Sequence, residues 1–114
     1  MAIRTAIIGL GTMGRRMLEH LEKHPGYSVT AIWDPDKDAC DAALNLSPSA
    51  TLVASADDAI QSADVVYLAC PPIPRKTYAL GAARAGKAIF LEKPLGVDVA
   101  IWSRELKHLT SLWR

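Results

Sequence analysis

Two rhythms of apolar and polar positions alternate along this chain. Short apolar runs read as strands, and i, i+3, i+4, i+7 stripes read as helices. Ile3 to Ile8 is the first run. A glycine loop follows, and from Gly14 onward Gly14, Met17, Leu18 and Leu21 share one helical face until Pro25-Gly26 stops it. Tyr27 to Trp33 is the second strand, closed by Asp34-Pro35, with a helix expected from Pro35 to about Leu44. After a turn-rich stretch from Asn45 to Ser49, Thr51 to Ala54 predicts a short third strand. Ser55 is placed to cap a small helix, with Asp57 and Asp58 in its first turn. Val65 to Ala69 is apolar throughout, as befits a strand covered on both faces. Pro71-Pro72-Ile73-Pro74 predicts a stiff loop with no helix until Thr77 to Ala85, which Gly86 ends. Ala88 to Leu91 is the fifth strand. Asp98 is placed to cap a last helix with Trp102, Leu106, Leu109 and Trp113 as its buried stripe.

Strands alternating with helices specify βαβ units and hence a parallel sheet. The expectation is one α/β domain over residues 1–114, a doubly wound parallel sheet of about five strands in the order 3-2-1-4-5, with helices on both faces. Half of the residues are hydrophobic, enough for a core, and the net charge of +1 gives no basic field for nucleic acid or an anionic membrane. No apolar run approaches the roughly 20 residues of a membrane span, and the N-terminus lacks the pattern of a signal peptide. Cys40 and Cys70 show neither a pairing nor a ligand pattern, so a cytoplasmic protein with reduced thiols is expected. His20 and His24 have a metal-binding spacing on one expected helix, but no third ligand accompanies them and no metal is expected.

The chemistry begins at Gly9-Leu10-Gly11-Thr12-Met13-Gly14, a G-x-G-x-x-G sequence directly after a strand and opening a helix. Gly9 permits the tight turn, Gly11 leaves room for a pyrophosphate, and Gly14 allows close packing. The amides of the helix start, at Thr12, Met13 and Gly14, point at the phosphates. Asp34 ends the second strand about 20 residues further on, where an acid bonds the adenosine ribose hydroxyls of a dinucleotide. A carboxylate there repels a 2′-phosphate, so NAD is favoured over NADP, although nearby Lys37 is a cation that keeps NADP open. Arg15 and Arg16 are read as ordinary exposed helical residues. Parallel strands present their carboxyl ends on one edge, and there the unusual residues gather: the glycine loop, Asp34, Cys70-Pro71-Pro72 and Glu92-Lys93-Pro94.

Ala85-Gly86-Lys87 followed by an apolar strand and Glu92-Lys93-Pro94 adds a specific resemblance. With Gly9, Gly11, Gly14 and Asp34, the chain resembles, over essentially its whole length, the N-terminal Rossmann domain of the Gfo/Idh/MocA oxidoreductases (glucose–fructose oxidoreductase, inositol dehydrogenase and relatives). The resemblance implies hydride transfer between a nicotinamide and a carbinol carbon of a sugar or polyol. It implies Lys93 as the catalytic group, accepting the alcohol proton, with Glu92 orienting the segment. Cys70, Pro71 and Pro72 fall on the loop beside the cofactor. That loop often reads Thr-Pro-Asn-x-x-His in the family, and here Pro72 replaces the amide and Arg75 the histidine. The family's second, substrate-binding domain is not in this chain, so the small-molecule substrate is expected to need it. The apolar fifth strand would then be a sheet edge along which copies pair. Two other functions compete: a non-catalytic, NAD-sensing regulatory module, against which Lys93 in its motif argues, and a methyltransferase-like adenosyl-cofactor domain, which the glycine spacing disfavours.

Overall fold

The structure, a computed structural model, describes residues 2–70 and 72–91, and of Pro72, Ile73 and Leu91 the backbone alone. The described elements are β1 (Ile3–Ile8), α1 (Thr12–Glu22), β2 (Tyr27–Trp33), α2 (Lys37–Leu46), α3 (Ala56–Ser62), β3 (Val65–Leu68), α4 (Pro72–Arg84) and β4 (Ala88–Leu91). The strands form one parallel sheet in the order β2-β1-β3-β4. The final helix expected after Asp98 lies outside the described residues, as do Pro71, Glu92 and Lys93.

Alternate residues of the central strands feed two cores. On one face Ile7, Ile32 and Tyr67 pack with Leu18 of α1 and Cys40 and Ala43 of α2. On the other, Ala6, Ile8, Val66 and Leu68 pack with Ala59 and Ile60 of α3 and Ala79, Ala82 and Ala83 of α4. This is the expected doubly wound arrangement, with helices on both faces. The chain leaves β1 for β2 on one side and returns to β3 on the other, so β1 lies at the point where the direction of winding reverses. In such sheets a crevice opens beyond the carboxyl ends of the strands at that point.

Four local expectations are corrected. Thr51 to Ala54 is not a strand. It makes a single parallel bridge, Leu52 to Ile32, with the Ile32 amide donating to Thr51 O and the Val53 amide to Ile32 O. Leu52 is exposed on this outer edge, so little burial favours longer pairing. Its place beside β2 nonetheless keeps the order expected for the sheet. Second, α2 begins at Lys37, two residues after the expected start at Pro35, with Asp36 as its cap. The Asp36 carboxylate accepts the Asp38 amide, a side-chain cap that Pro35 cannot provide.

Third, the prolines at 72 and 74 do not exclude helix. They are the first and third residues of α4. The first-turn amides have no acceptor inside the helix, so a proline there sacrifices no hydrogen bond. Fourth, α1 ends at Glu22, so His24 is not on the helix with His20. Its Nδ1 accepts the Gly26 amide at 2.9 Å, and its ring meets Tyr27 edge-on.

Other termini follow the sequence closely. Ser55 Oγ accepts the Asp58 amide and caps α3. The far end of α4 closes on Gly86 at φ +75, with the Gly86 amide donating to Ala83 O and the Lys87 amide to Ala82 O.

Candidate functional site

The site is built where β1 gives way to α1. Gly9 sits at φ +101, a left-handed conformation suited to glycine, and a Cβ there would meet the Ala69–Cys70 peptide at 2.7 Å. Gly14 is more tightly constrained, since its Cβ would lie 1.8 Å from the carbonyl oxygen of Gly9. The first turn of α1 thus rests directly on the loop that precedes it. Gly11 differs, because a Cβ there would meet nothing within 4 Å. Its backbone borders open space at the start of an eleven-residue helix, whose first amides lack internal acceptors and whose dipole favours an anion. Thr12 and Met13, the first two residues of α1, are exposed there.

Asp34, just beyond β2, clamps this loop. Its Oδ2 accepts the Leu10 amide at 2.7 Å and its Oδ1 the Asp36 amide at 2.7 Å. The Gly9 amide donates to Trp33 O and the Ala69 amide to Ile8 O, so the three strand ends are tied together. A cavity of about 590 Å³ opens beside them, bordered by Gly9, Gly11, Asp34, Cys70, Arg75 and Tyr78 among others. The structure therefore brings together Gly9, Gly11, Asp34 and Cys70 of the expected set. Gly14 lies beneath the loop as a packing residue. Pro72 begins α4. Pro71, Glu92 and Lys93 lie outside the described residues.

Arg75 and Tyr78 are among the wall residues that the sequence did not assign to the site. Had α4 been started at Pro72, the i, i+3 spacing of Arg75 and Tyr78 would have placed them on one helical face. Arg75 is only 5% exposed. Its Nε and Nη2 both donate to the carbonyl oxygen of Cys70, at 3.1 and 2.8 Å. Burial pushes the Cys70 thiol above its usual range, against the opposing charge of Arg75. Tyr78 is raised too, first by burial and then by Cys70 and Asp34, so it is a neutral donor near pH 7. Cys40 does not border the cavity. Its Sγ donates to the backbone carbonyl of Asp34, and burial raises its pKa.

A bare-backbone bend at a helix start, a carboxylate at the end of the adjoining strand and a cleft at the winding reversal define a dinucleotide-binding domain of the Rossmann type. Nothing but space would oppose a diphosphate at Gly11, and Asp34 has the acceptor chemistry for a diol. Comparison with known proteins agrees. Residues 3–112 match the model of the oxidoreductase family with an NAD-binding Rossmann fold, Gfo/Idh/MocA, and the chain belongs to that family.

Among curated relatives, the chain is 32% identical over 100 residues to the inositol 2-dehydrogenase of Cereibacter sphaeroides, covering 86% of this chain and 30% of that protein. It is 31% identical over 118 residues to that of Acidiphilium cryptum, covering all of this chain and 35% of the relative. It thus spans about a third of these relatives. Among solved structures it resembles the myo-inositol dehydrogenase of Lactobacillus casei in complex with NAD(H) and myo-inositol, with TM-score 0.81 and 26% identity over 98% of this chain and 33% of that one. A 3-ketoreductase of Actinomadura kijaniata in complex with NADP gives TM-score 0.82 and 26% identity over all of this chain and 34% of the other.

Proposed function

We propose that this chain binds NAD in preference to NADP and supplies the cofactor half of an oxidoreductase acting on an inositol-like polyol or a sugar. The observation that carries the reading is the pairing of the open backbone at Gly11 with the Asp34 carboxylate, one suited to a diphosphate and the other to a ribose diol. The carboxylate disfavours the 2′-phosphate that distinguishes NADP. Thr12, Met13 and Gly14 contribute helix-start amides, and Cys70, Pro71, Pro72, Glu92 and Lys93 border the nicotinamide side.

When bound, the nicotinamide would supply the hydride acceptor for the carbinol carbon. Lys93 takes the hydroxyl proton in the same oxidation, with Glu92 orienting its segment. The polyol is held by a second domain of the kind the longer relatives have room for, and residues 1–114 supply the cofactor domain. β4 is the outer strand among the described residues, and Phe90 on it is 60% exposed. Pairing of two copies along β4 would cover it, and a monodisperse monomer by light scattering at high concentration would refute that part.

No helix among the described residues is long and apolar enough to cross a membrane. Within this reading the protein works in the cytoplasm, where NAD and thiol-reducing conditions coexist. A regulatory module that senses NAD without chemistry is the competing reading, and loss of turnover on Lys93→Ala in an enzyme carrying both domains separates the two. Calorimetric titration of the chain with NAD and NADP tests the cofactor. Tighter binding of NAD is expected. Equal or tighter binding of NADP overturns the preference, and no binding of either overturns the function.

A further inference from the structure

Two successive peptides of the glycine loop are gripped by side chains of opposite charge. The Gly9–Leu10 peptide donates its N–H to Asp34 Oδ2 at 2.7 Å. The Leu10–Gly11 peptide accepts, at its carbonyl oxygen, a bond from Arg15 Nη1 at 2.8 Å. Arg15 is therefore not the ordinary exposed residue that its place on α1 suggests. It is half-buried, while its neighbour Arg16 is exposed. Its side chain turns back along its own helix to reach the loop. Both grips bear on Leu10, whose side chain is fully enclosed. A trans peptide carries its C=O and N–H on opposite edges. With Leu10 O taken by Arg15, the Gly11 N–H faces the other way. Gly11 borders the cavity, and no carbonyl among the described residues accepts its amide.

Reversing the Leu10–Gly11 peptide would exchange that N–H for a carbonyl oxygen, and an anion would then meet negative charge. The backbone alone does not forbid the reversal. It moves Leu10 from one allowed ψ region to another and carries Gly11 from φ −71 to a positive φ, which glycine accepts. The bond from Arg15 opposes it. In the dinucleotide reading, on which this inference rests, we propose that Arg15 is a positioning residue of the diphosphate site. It holds the Leu10–Gly11 peptide so that the Gly11 N–H joins the first amides of α1 in facing the phosphates. Asp34 fixes the preceding peptide, so the two side chains set the bend together.

The test is an NMR titration of the full chain with NAD. In the unaltered protein the Gly11 amide proton should move downfield as it bonds to phosphate. In Arg15→Met, which cannot donate to Leu10 O, NAD should bind about tenfold more weakly and the Gly11 response should shrink by about half or more. That loss should persist in 1 M salt, where a charge acting at a distance is screened. A purely structural role would lower the unfolding midpoint and leave the Gly11 response intact. The inference is overturned by an intact Gly11 response or native NAD affinity in Arg15→Met, or by a loss that disappears in 1 M salt. It is overturned equally by a Gly11 amide that NAD leaves in place in the unaltered protein, and should Arg15→Met not fold, this measurement decides. If NAD binds but these results fail, only the role of Arg15 is lost. If NAD does not bind the unaltered protein at all, the dinucleotide reading falls with it.

Discussion

The carboxylate of Asp34 receives the backbone amide of Leu10 at 2.7 Å, joining the end of β2 to the glycine loop after β1. A residue expected to touch ribose therefore also builds the loop that meets phosphate. Its other oxygen accepts the Asp36 amide, so both oxygens serve the fold. Asp34→Asn turns a donor toward one of these amides and leaves it unpartnered, at a cost of about 1–3 kcal/mol. Thermal unfolding should register a lower midpoint for the variant. The same change removes the charge that repels a 2′-phosphate, so the NAD:NADP affinity ratio should fall by about tenfold. An unchanged ratio alongside a lowered midpoint would make Asp34 a structural clamp and nothing more.

Gly11 and Gly14 are three residues apart and should fail in different ways. An added Cβ at Gly14 would lie 1.8 Å from Gly9 O, so Gly14→Ala must displace α1 or the loop, at a cost of about 3 kcal/mol or more. At Gly11 the same methyl meets nothing, so Gly11→Ala should fold with a loss of about 1 kcal/mol from the helix cap. That methyl enters the space assigned to the diphosphate, so NAD affinity should drop by about tenfold or more even though the circular dichroism spectrum is unchanged. Native NAD affinity in Gly11→Ala would remove the phosphate from this bend.

The parts of the fold that local chemistry determines were readable from the chain. Ser55 with Asp58, Gly86 after α4 and the apolar run Ile3–Ile8 each act over a few residues, and all appear where the pattern put them. Two misreadings came from rules applied without position. Proline breaks helices in their interior, yet Pro72 and Pro74 occupy a first turn where the missing N–H is not needed. Thr51 to Ala54 has strand composition, but its register depends on packing that an exposed edge does not supply. The burial of Arg75 was the least legible feature. Arginine is rarely enclosed, and its acceptor is a carbonyl five residues back, brought within reach by the early start of α4.

The two thiols make a further prediction. Burial raises both Cys40 and Cys70, so the native chain at pH 8 should react with a thiol reagent at least about tenfold more slowly than the urea-unfolded chain. NAD should slow Cys70 further, because it borders the cavity, and leave Cys40 unchanged. Peptide mapping of the alkylated sites distinguishes them. The sign of the pH effect comes from the same shifts. Above the ordinary thiol value near 9 the unfolded chain gives up these protons first, so it binds fewer than the native state. The stability contribution is full below that value and declines as pH rises toward the folded values. Equal alkylation rates in native and unfolded protein would contradict the burial of both thiols.

Arg4 and Asp64 test the sheet from its opposite edge. Arg4 Nε and Nη2 donate to the two carboxylate oxygens of Asp64 at 3.1 and 2.9 Å, pairing the start of β1 with the residue before β3. Hydrogen bonding from Arg4 holds the Asp64 carboxyl below its usual value near 3.8, with the charges of Arg4 and Lys87 acting the same way. A carboxyl lowered in the folded state contributes stability that is present above its unfolded value and lost as pH falls through the folded one. Urea midpoints should therefore drop below about pH 4, and Arg4→Met should flatten that part of the profile attributable to Asp64. Both side chains are well exposed, so the effect is small and should shrink further in 1 M salt. A carboxyl-carbon NMR titration in which Asp64 has the same midpoint in the unaltered protein and in Arg4→Met would show that the contact does not hold its charge.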